Sequence, residues 1–184
     1  MRRELVALAI MESLVALSTG IAGPIYLIYL EKIVGSERDV AIAYGLFWIA
    51  VGVLQIPSGR LCDKIGKKKM LVLGGVLASV STFLYPFISS VTQMYALEIL
   101  SGISYALESP ALGSLITSVV DERKSGREMG FLNFFSDFMY GVASIISGLI
   151  IGFLGMKIIF LLSGVLELMS VVVIFKQVGR RKRI

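Results

Sequence analysis

The sequence predicts an all-α membrane protein: six transmembrane helices, arranged as two inverted three-helix repeats with both termini cytoplasmic. Three observations carry that reading. First, 56% of the 184 residues are hydrophobic, against about 45–50% in soluble domains. The excess is gathered into runs of about 20 residues, each able to cross a hydrocarbon core about 30 Å thick as a helix. Second, the runs do not alternate apolar and polar positions as barrel strands do, and a helix satisfies its own backbone in lipid. Third, the basic residues fall between alternate runs, where they set topology.

The chain reads as one six-helix bundle over residues 1–184. The first span covers residues 5–29. Met1-Arg2-Arg3 before an apolar run suggests a leader, but the run is too long, contains Glu12 and has no small-residue cleavage site. It therefore reads as a retained helix. A polar turn over 31–39 leads to the second span, 40–58. The basic stretch 59–71 leads into the third span, 70–88. After a short turn the fourth span covers 94–119, and the charged loop 121–128 precedes the fifth, 129–154. Gly155-Met156-Lys157 turns the chain into the sixth span, 158–175, and a basic tail follows.

A count tests the topology. With the N-terminus inside, the cytoplasmic segments hold Arg2, Arg3, Arg60, Lys64, Lys67, Lys68, Lys69, Arg123, Lys124, Arg127, Lys176, Arg180, Arg181, Lys182 and Arg183. These are 15 of the 18 basic residues, leaving Lys32, Arg38 and Lys157 outside. The bias places both termini in the cytoplasm of a multi-pass protein of the cell membrane. A repeat of three helices is visible too: Gly23-Pro24 in the first span answers Ser109-Pro110 in the fourth, each among small and hydroxyl residues (Ser18, Thr19, Gly20; Ser101, Gly102, Ser104). The two spans run in opposite directions, as inverted repeats require.

Several classes are excluded. The net charge of +5 is spent on topology and is no nucleic-acid footprint. With no histidine, histidine-dependent catalysis, bis-His haem ligation and most zinc sites are removed. The single cysteine, Cys62, forbids an internal disulfide. No nucleophile–base pair or metal cluster can be assembled, so no enzyme and no cofactor are expected. Neither an arginine-rich voltage sensor nor a filter-like loop is present.

The stretch Gly59-Arg60-Leu61-Cys62-Asp63-Lys64-Ile65-Gly66-Lys67-Lys68-Lys69 reads as a tight turn between two membrane helices. Its spacing Gly-x-Leu-x-Asp-Lys-x-Gly-Lys-Lys resembles the loop between helices 2 and 3 of the major facilitator superfamily of secondary transporters. Pro110-Ala-Leu-Gly-Ser and Asp121 to Gly130, with Arg127, look like the end of helix 4 and the following loop in that family. Two positions depart from it. Glu98 stands where an Arg is common, and the fifth span has Gly141, Ser144, Gly148 and Gly152 but no Gly-Pro-Gly-Gly, which puts an antiporter subtype in doubt. The resemblance covers essentially the whole chain but half of the family's usual twelve helices.

The resemblance implies a conformational lock. Asp63 would meet the positive end of a helix in the opposite half, Gly59 and Gly66 would permit close approach, and Lys67 and Lys68 would pair with Asp121 or Glu122. Lys69 serves topology alone. The opposite half would be a second copy in a closed two-fold dimer, meeting the small-residue face Ser144, Gly148 and Gly152, or these residues pack within the bundle.

Five carboxylates lie inside the spans: Glu12, Glu98, Glu108, Asp137 and Glu167. Ionisable groups at that depth are costly and mark partners or cavities. Glu108, two residues before Pro110, is the leading proton or substrate candidate. Glu12 shares a face with Ala16, Thr19 and Gly23; Asp137 lies near Asn133 at the inner start of the fifth span. Glu98 is about one turn from the outer surface, where a solvated role competes. Glu167 shares a face with Ser163, Gly164 and Ser170 and reads as structural or interfacial. No cation lies deep in a span, so protons or a cationic substrate are expected to neutralise these acids. Tyr26, Tyr29, Tyr85 and Tyr95 read as interfacial anchors, and Trp48 as packing.

The reading is a half-size secondary transporter moving a small solute by alternating access, proton-coupled and homodimeric in the bilayer. Its alternatives are one half of a split or truncated transporter needing another chain, and a non-transporting membrane scaffold.

Overall fold

A computed structural model describes residues 3–34 and 36–177. Arg2 and the tail residues Arg180, Arg181, Lys182 and Arg183 lie outside the described residues. Six long helices account for almost all of the described chain: α1 Arg3–Val34, α2 Glu37–Ile65, α3 Lys67–Leu84, α4 Val91–Val119, α5 Ser125–Leu154 and α6 Met156–Gln177. All six are long and apolar enough to cross a membrane. Short 3-10 turns sit at Tyr85–Phe87 and Glu122–Lys124.

Most of the helices overrun their apolar cores, because polar residues at a membrane surface can continue a helix into the headgroup region. The clearest case corrects the expected turn over 59–71. α2 continues through Gly59 and Asp63 to Ile65, and the joint to α3 is Gly66 alone, at φ 93° and ψ 145°. Its N–H donates to the Cys62 carbonyl at 2.8 Å. Gly155 joins α5 to α6 in the same way, at φ 75° and ψ 161°, with its N–H on the Ile151 carbonyl at 3.0 Å. Elsewhere serines start helices: Ser36 accepts from the Asp39 N–H and Ser90 from the Gln93 N–H, each at 3.3 Å, satisfying donors that the first helical turn leaves free. Pro24, Pro57 and Pro110 sit inside continuous helices, as membrane helices tolerate.

Two apolar clusters close the bundle at its ends. One joins Leu8 and Met11 near the start of α1, Cys62 near the end of α2, Met70 at the start of α3, Leu115 near the end of α4, Leu132 in early α5 and Ile174 in late α6. The other joins Leu30, Ala43, Met94 and Phe160, from the opposite ends of α1, α2, α4 and α6, with Tyr85 of the turn that follows α3. The six helices therefore alternate in direction. The first cluster lies beside the charged 2–3 and 4–5 joints and is called here the basic end.

The helices pack in an open chain. α1 lies chiefly against α5 and α6, α4 against α2 and α3, and α3 against α6, while α2 and α5 stand at the two edges without substantial contact with each other. Glycine sets two of the close crossings. A Cβ on Gly20 would fall 2.5 Å from the Tyr140 carbonyl of α5, and one on Gly102 would fall 2.6 Å from the Phe47 carbonyl of α2.

Candidate transport cavity

Between the two apolar ends lies a layer of carboxylates and hydroxyls. Glu98, at 1% exposure, is fully buried. It accepts from the Tyr85 hydroxyl at 2.7 Å and from the Tyr26 hydroxyl in a short hydrogen bond. Tyr85 in turn stacks on Phe160 and meets Tyr26 edge-on. The solvated role expected for Glu98 is corrected here: the aromatic cap of α1, α3 and α6 folds over it, so one helical turn of depth suffices to bury it. Of the tyrosines expected as interfacial anchors, Tyr26, Tyr29 and Tyr85 have interior partners, whereas Tyr95 bonds at the start of α2. Tyr29 donates to the Tyr85 carbonyl at 3.2 Å, and Tyr95 to the Asp39 carboxylate at 2.7 Å.

Glu167 belongs to the same layer. It accepts from Thr82 at 2.8 Å and from Ser18 at 3.1 Å, while Ser163 donates to the Ser18 carbonyl at 2.7 Å and Ser79 to the Gly164 carbonyl at 2.8 Å. Hydroxyls from α1 and α3 thus hold a carboxylate from α6. Its sequence face of Ser163, Gly164 and Ser170 points inward, and these hydroxyl neighbours were the signal that it belongs to the site.

Glu108 and Glu12 differ from this clasped pair. Among the described residues no hydrogen bond reaches Glu108, and one oxygen of Glu12 is buried without a partner. Glu108 lies close enough to Glu167 and Glu12 for their charges to interact. Its side chain rests on Gly74 and Gly75 of α3. A Cβ on Gly74 would overlap Glu108 Cγ, and one on Gly75 would come 3.0 Å from Glu108 Oε1 and 2.6 Å from Val171 Cγ2. The Gly74-Gly75 pair, unremarked in the sequence, is a seat for this carboxylate.

Two cavities adjoin the layer. A cavity of about 480 Å³ is lined by Glu108, Glu167, Phe47, Tyr105 and Ser104 among others. A second, of about 260 Å³, is lined by Glu98, Glu167, Tyr26, Tyr44 and Phe160 among others. Thr19, Phe47 and Glu167 border both. Beside the acids, α2 and α4 raise an aromatic wall, with Tyr105 one turn before Glu108 on α4. Phe47 packs on Trp48 and Tyr105 at centroid distances of 5.2 and 5.9 Å, and Trp48 meets Tyr105 at 6.0 Å. Trp48 is half exposed rather than packed inside.

The other sequence candidates lie elsewhere. Asp137 is exposed on α5 between Phe134 and Phe138 and lines neither cavity. Ser144 donates to the Gly20 carbonyl at 3.1 Å and so faces α1, whereas Gly148 and Gly152 meet nothing within 4 Å. A spacing of four drifts around a 3.6-residue turn, which splits the expected face. At the basic end Asp63 is exposed. Lys67 donates to the Ser114 carbonyl at 2.7 Å, near the negative end of the α4 dipole, and Lys68 covers the Phe175 ring at 5.5 Å. Asp121 accepts from the Arg123 N–H at 3.1 Å, and its own N–H donates to Glu128 at 2.8 Å. Arg127 is exposed at the start of α5.

Six alternating spans, with a mid-bundle layer of acids beside a cavity, define a polytopic membrane protein. The chain belongs to the Major Facilitator Superfamily, whose family model matches residues 8–183. Members of that family are transporters. It is 31% identical over 157 residues to an uncharacterized MFS-type transporter, MJ1560, of Methanocaldococcus jannaschii, covering 85% of this chain and 41% of that protein. It is 25% identical over 153 residues to the uncharacterized MFS-type transporter YitZ of Bacillus subtilis, covering 83% of this chain and 93% of that one. It is 24% identical over 120 residues to the quinolone resistance protein NorA of Staphylococcus aureus, covering 65% of this chain and 31% of NorA. The chain thus spans less than half of the first and third of these relatives, and nearly all of the second.

Proposed function

We propose that two copies of this chain form one secondary transporter, with a small solute carried through a central cavity by alternating access and coupled to protons. The observation that carries this reading is Glu108: a mid-span carboxylate with no hydrogen-bond partner among the described residues, bordering a cavity of about 480 Å³. A carboxyl so placed, away from any cation, suits a group that takes up and releases a proton during a transport cycle.

The packing supports an inverted repeat. The contacts of α1 with α5 and α6 are answered by those of α4 with α2 and α3. Pro24 answers Pro110, and Gly66 answers Gly155 at the opposite end of the bundle. Both termini in the cytoplasm and residence in the cell membrane follow from the basic bias. The exposed apolar edges of α2 (Ile49, Val53, Ile56) and α5 (Ile145, Leu149) suit contact with a second half, and Asp63 then stands at that junction.

Proteoliposomes with an entrapped pH dye test the coupling. Purified protein is expected to couple solute movement to proton flux, and Glu108→Gln to uncouple it; unchanged coupling in that variant removes Glu108 from the mechanism. A second reading, one half of a heteromeric or longer transporter, is favoured by the 41% coverage of the archaeal relative. It predicts a single copy per particle in native nanodiscs.

A further inference from the structure

We propose that the cavity lined by Glu108 and the α2–α4 aromatic wall binds an aromatic or otherwise bulky organic monocation. This rests on the transporter reading above and names the class of its solute. Three features of the lining select it. First, neither cavity is lined by a basic or carboxamide side chain: charge comes from Glu98, Glu108 and Glu167 alone. An anion would meet repulsion and a sugar would lack the amide groups that pair with adjacent hydroxyls. Second, the acids are not equivalent. Glu98 is occupied by Tyr26 and Tyr85, and Glu167 by Thr82 and Ser18. Of the acids that line the two cavities, Glu108 is the one left to pair with a positive charge, and the likewise unpartnered Glu12 lines neither. Third, the same cavity carries aromatic rings, with Phe47 and Tyr105 lining the larger cavity beside Glu108 and Tyr44 and Phe47 lining the smaller. Ring faces attract a cation within about 6 Å, and more strongly where water is excluded.

The dimensions agree. Ligand pockets run to about 300–1,000 Å³, and 480 Å³ with an adjoining 260 Å³ admits a multi-ring body but leaves a bare metal ion without a coordination shell. No cluster of acids with metal-holding geometry occurs among the described residues.

Trp48, the only tryptophan in the chain, sits against Phe47 and Tyr105 and reports on this wall. The test is equilibrium quenching of its fluorescence in nanodiscs, without any gradient, by tetraphenylphosphonium and by tetraphenylborate. These ions share size and shape and differ in sign. Saturable quenching by the cation alone is expected, weakened on the order of tenfold in Glu108→Gln and in Tyr105→Leu and retained in Tyr105→Phe. Equal response to both ions, or no saturable response, overturns the proposal, as does an unchanged affinity in Glu108→Gln. Circular dichroism of each variant separates loss of binding from loss of fold. Proton-coupled flux without cation binding would remove this solute class while sparing the transporter. Cation binding without any flux would spare the site while removing the transport reading.

Discussion

At the scale of single residues, the acids of this bundle are sorted by their neighbours rather than by depth. Glu98 lies about one turn from a membrane surface yet is sealed by two tyrosines, while Glu108, deeper, is left without a donor. The seat under Glu108 gives a direct test. Gly74→Ala would force the side chain of Glu108 and the Ser104 carbonyl apart. It is expected to cost about 1–3 kcal/mol, the usual penalty of overpacking, seen as a lower thermal midpoint of the detergent-solubilised protein. Gly45→Ala, with nothing within 4 Å, is expected to shift the midpoint upward, because alanine restricts the unfolded chain and favours helix by up to about 1 kcal/mol. Equal effects at both positions would remove the cradle from the account.

At the scale of helices, glycine does two different jobs. Gly20 and Gly102 let backbones approach, while Gly66 and Gly155 hold a positive φ that other residues adopt only under strain. Their φ and ψ fall near a region that is essentially glycine's alone and costs other residues about 1–3 kcal/mol. Gly66→Ala and Gly155→Ala are each expected to lose stability within that range, by the same thermal measurement. An unchanged midpoint in both would mean that the joints relax without cost. The helices themselves were legible from apolar runs and turn residues. The joint at Gly66 was not, because a charged stretch reads as loop when local polarity is all that is weighed, although α2 continues through it as helix. The capping of Glu98 was hidden for a related reason: it depends on the Tyr26 hydroxyl 72 positions away in sequence, which periodicity within one helix does not reveal. The choice of Glu108 needed only its own neighbourhood, Pro110 and mid-span depth, and the cavity lies beside it.

At the scale of the molecule, the six helices leave two apolar edges and an acidic interior that borders one of them. If a second copy closes the cavity, Gly148→Cys in a Cys62→Ser background places a thiol on the open face of α5. Mild oxidation is then expected to give a covalent dimer. The same cysteine at buried Ser79, which bonds to the Gly164 carbonyl, is expected to give none. Dimer from both or from neither would place the partner on another face. The number of copies per native nanodisc provides the independent count.

The one-residue joints carry a mechanical consequence. Gly66 pins α2 to α3 at the basic end, and Gly155 pins α5 to α6 at the opposite end. Neither pair packs extensively along its length, so each resembles a drafting compass, fixed at its pivot and free to splay at its points. Because the two pivots lie at opposite faces of the bundle, a rocking movement that spreads one pair at a given face finds the other pair fastened there. In the alternating-access cycle proposed above, a single rigid tilt would open one face with one compass and keep the other shut, with no need for either helix pair to bend.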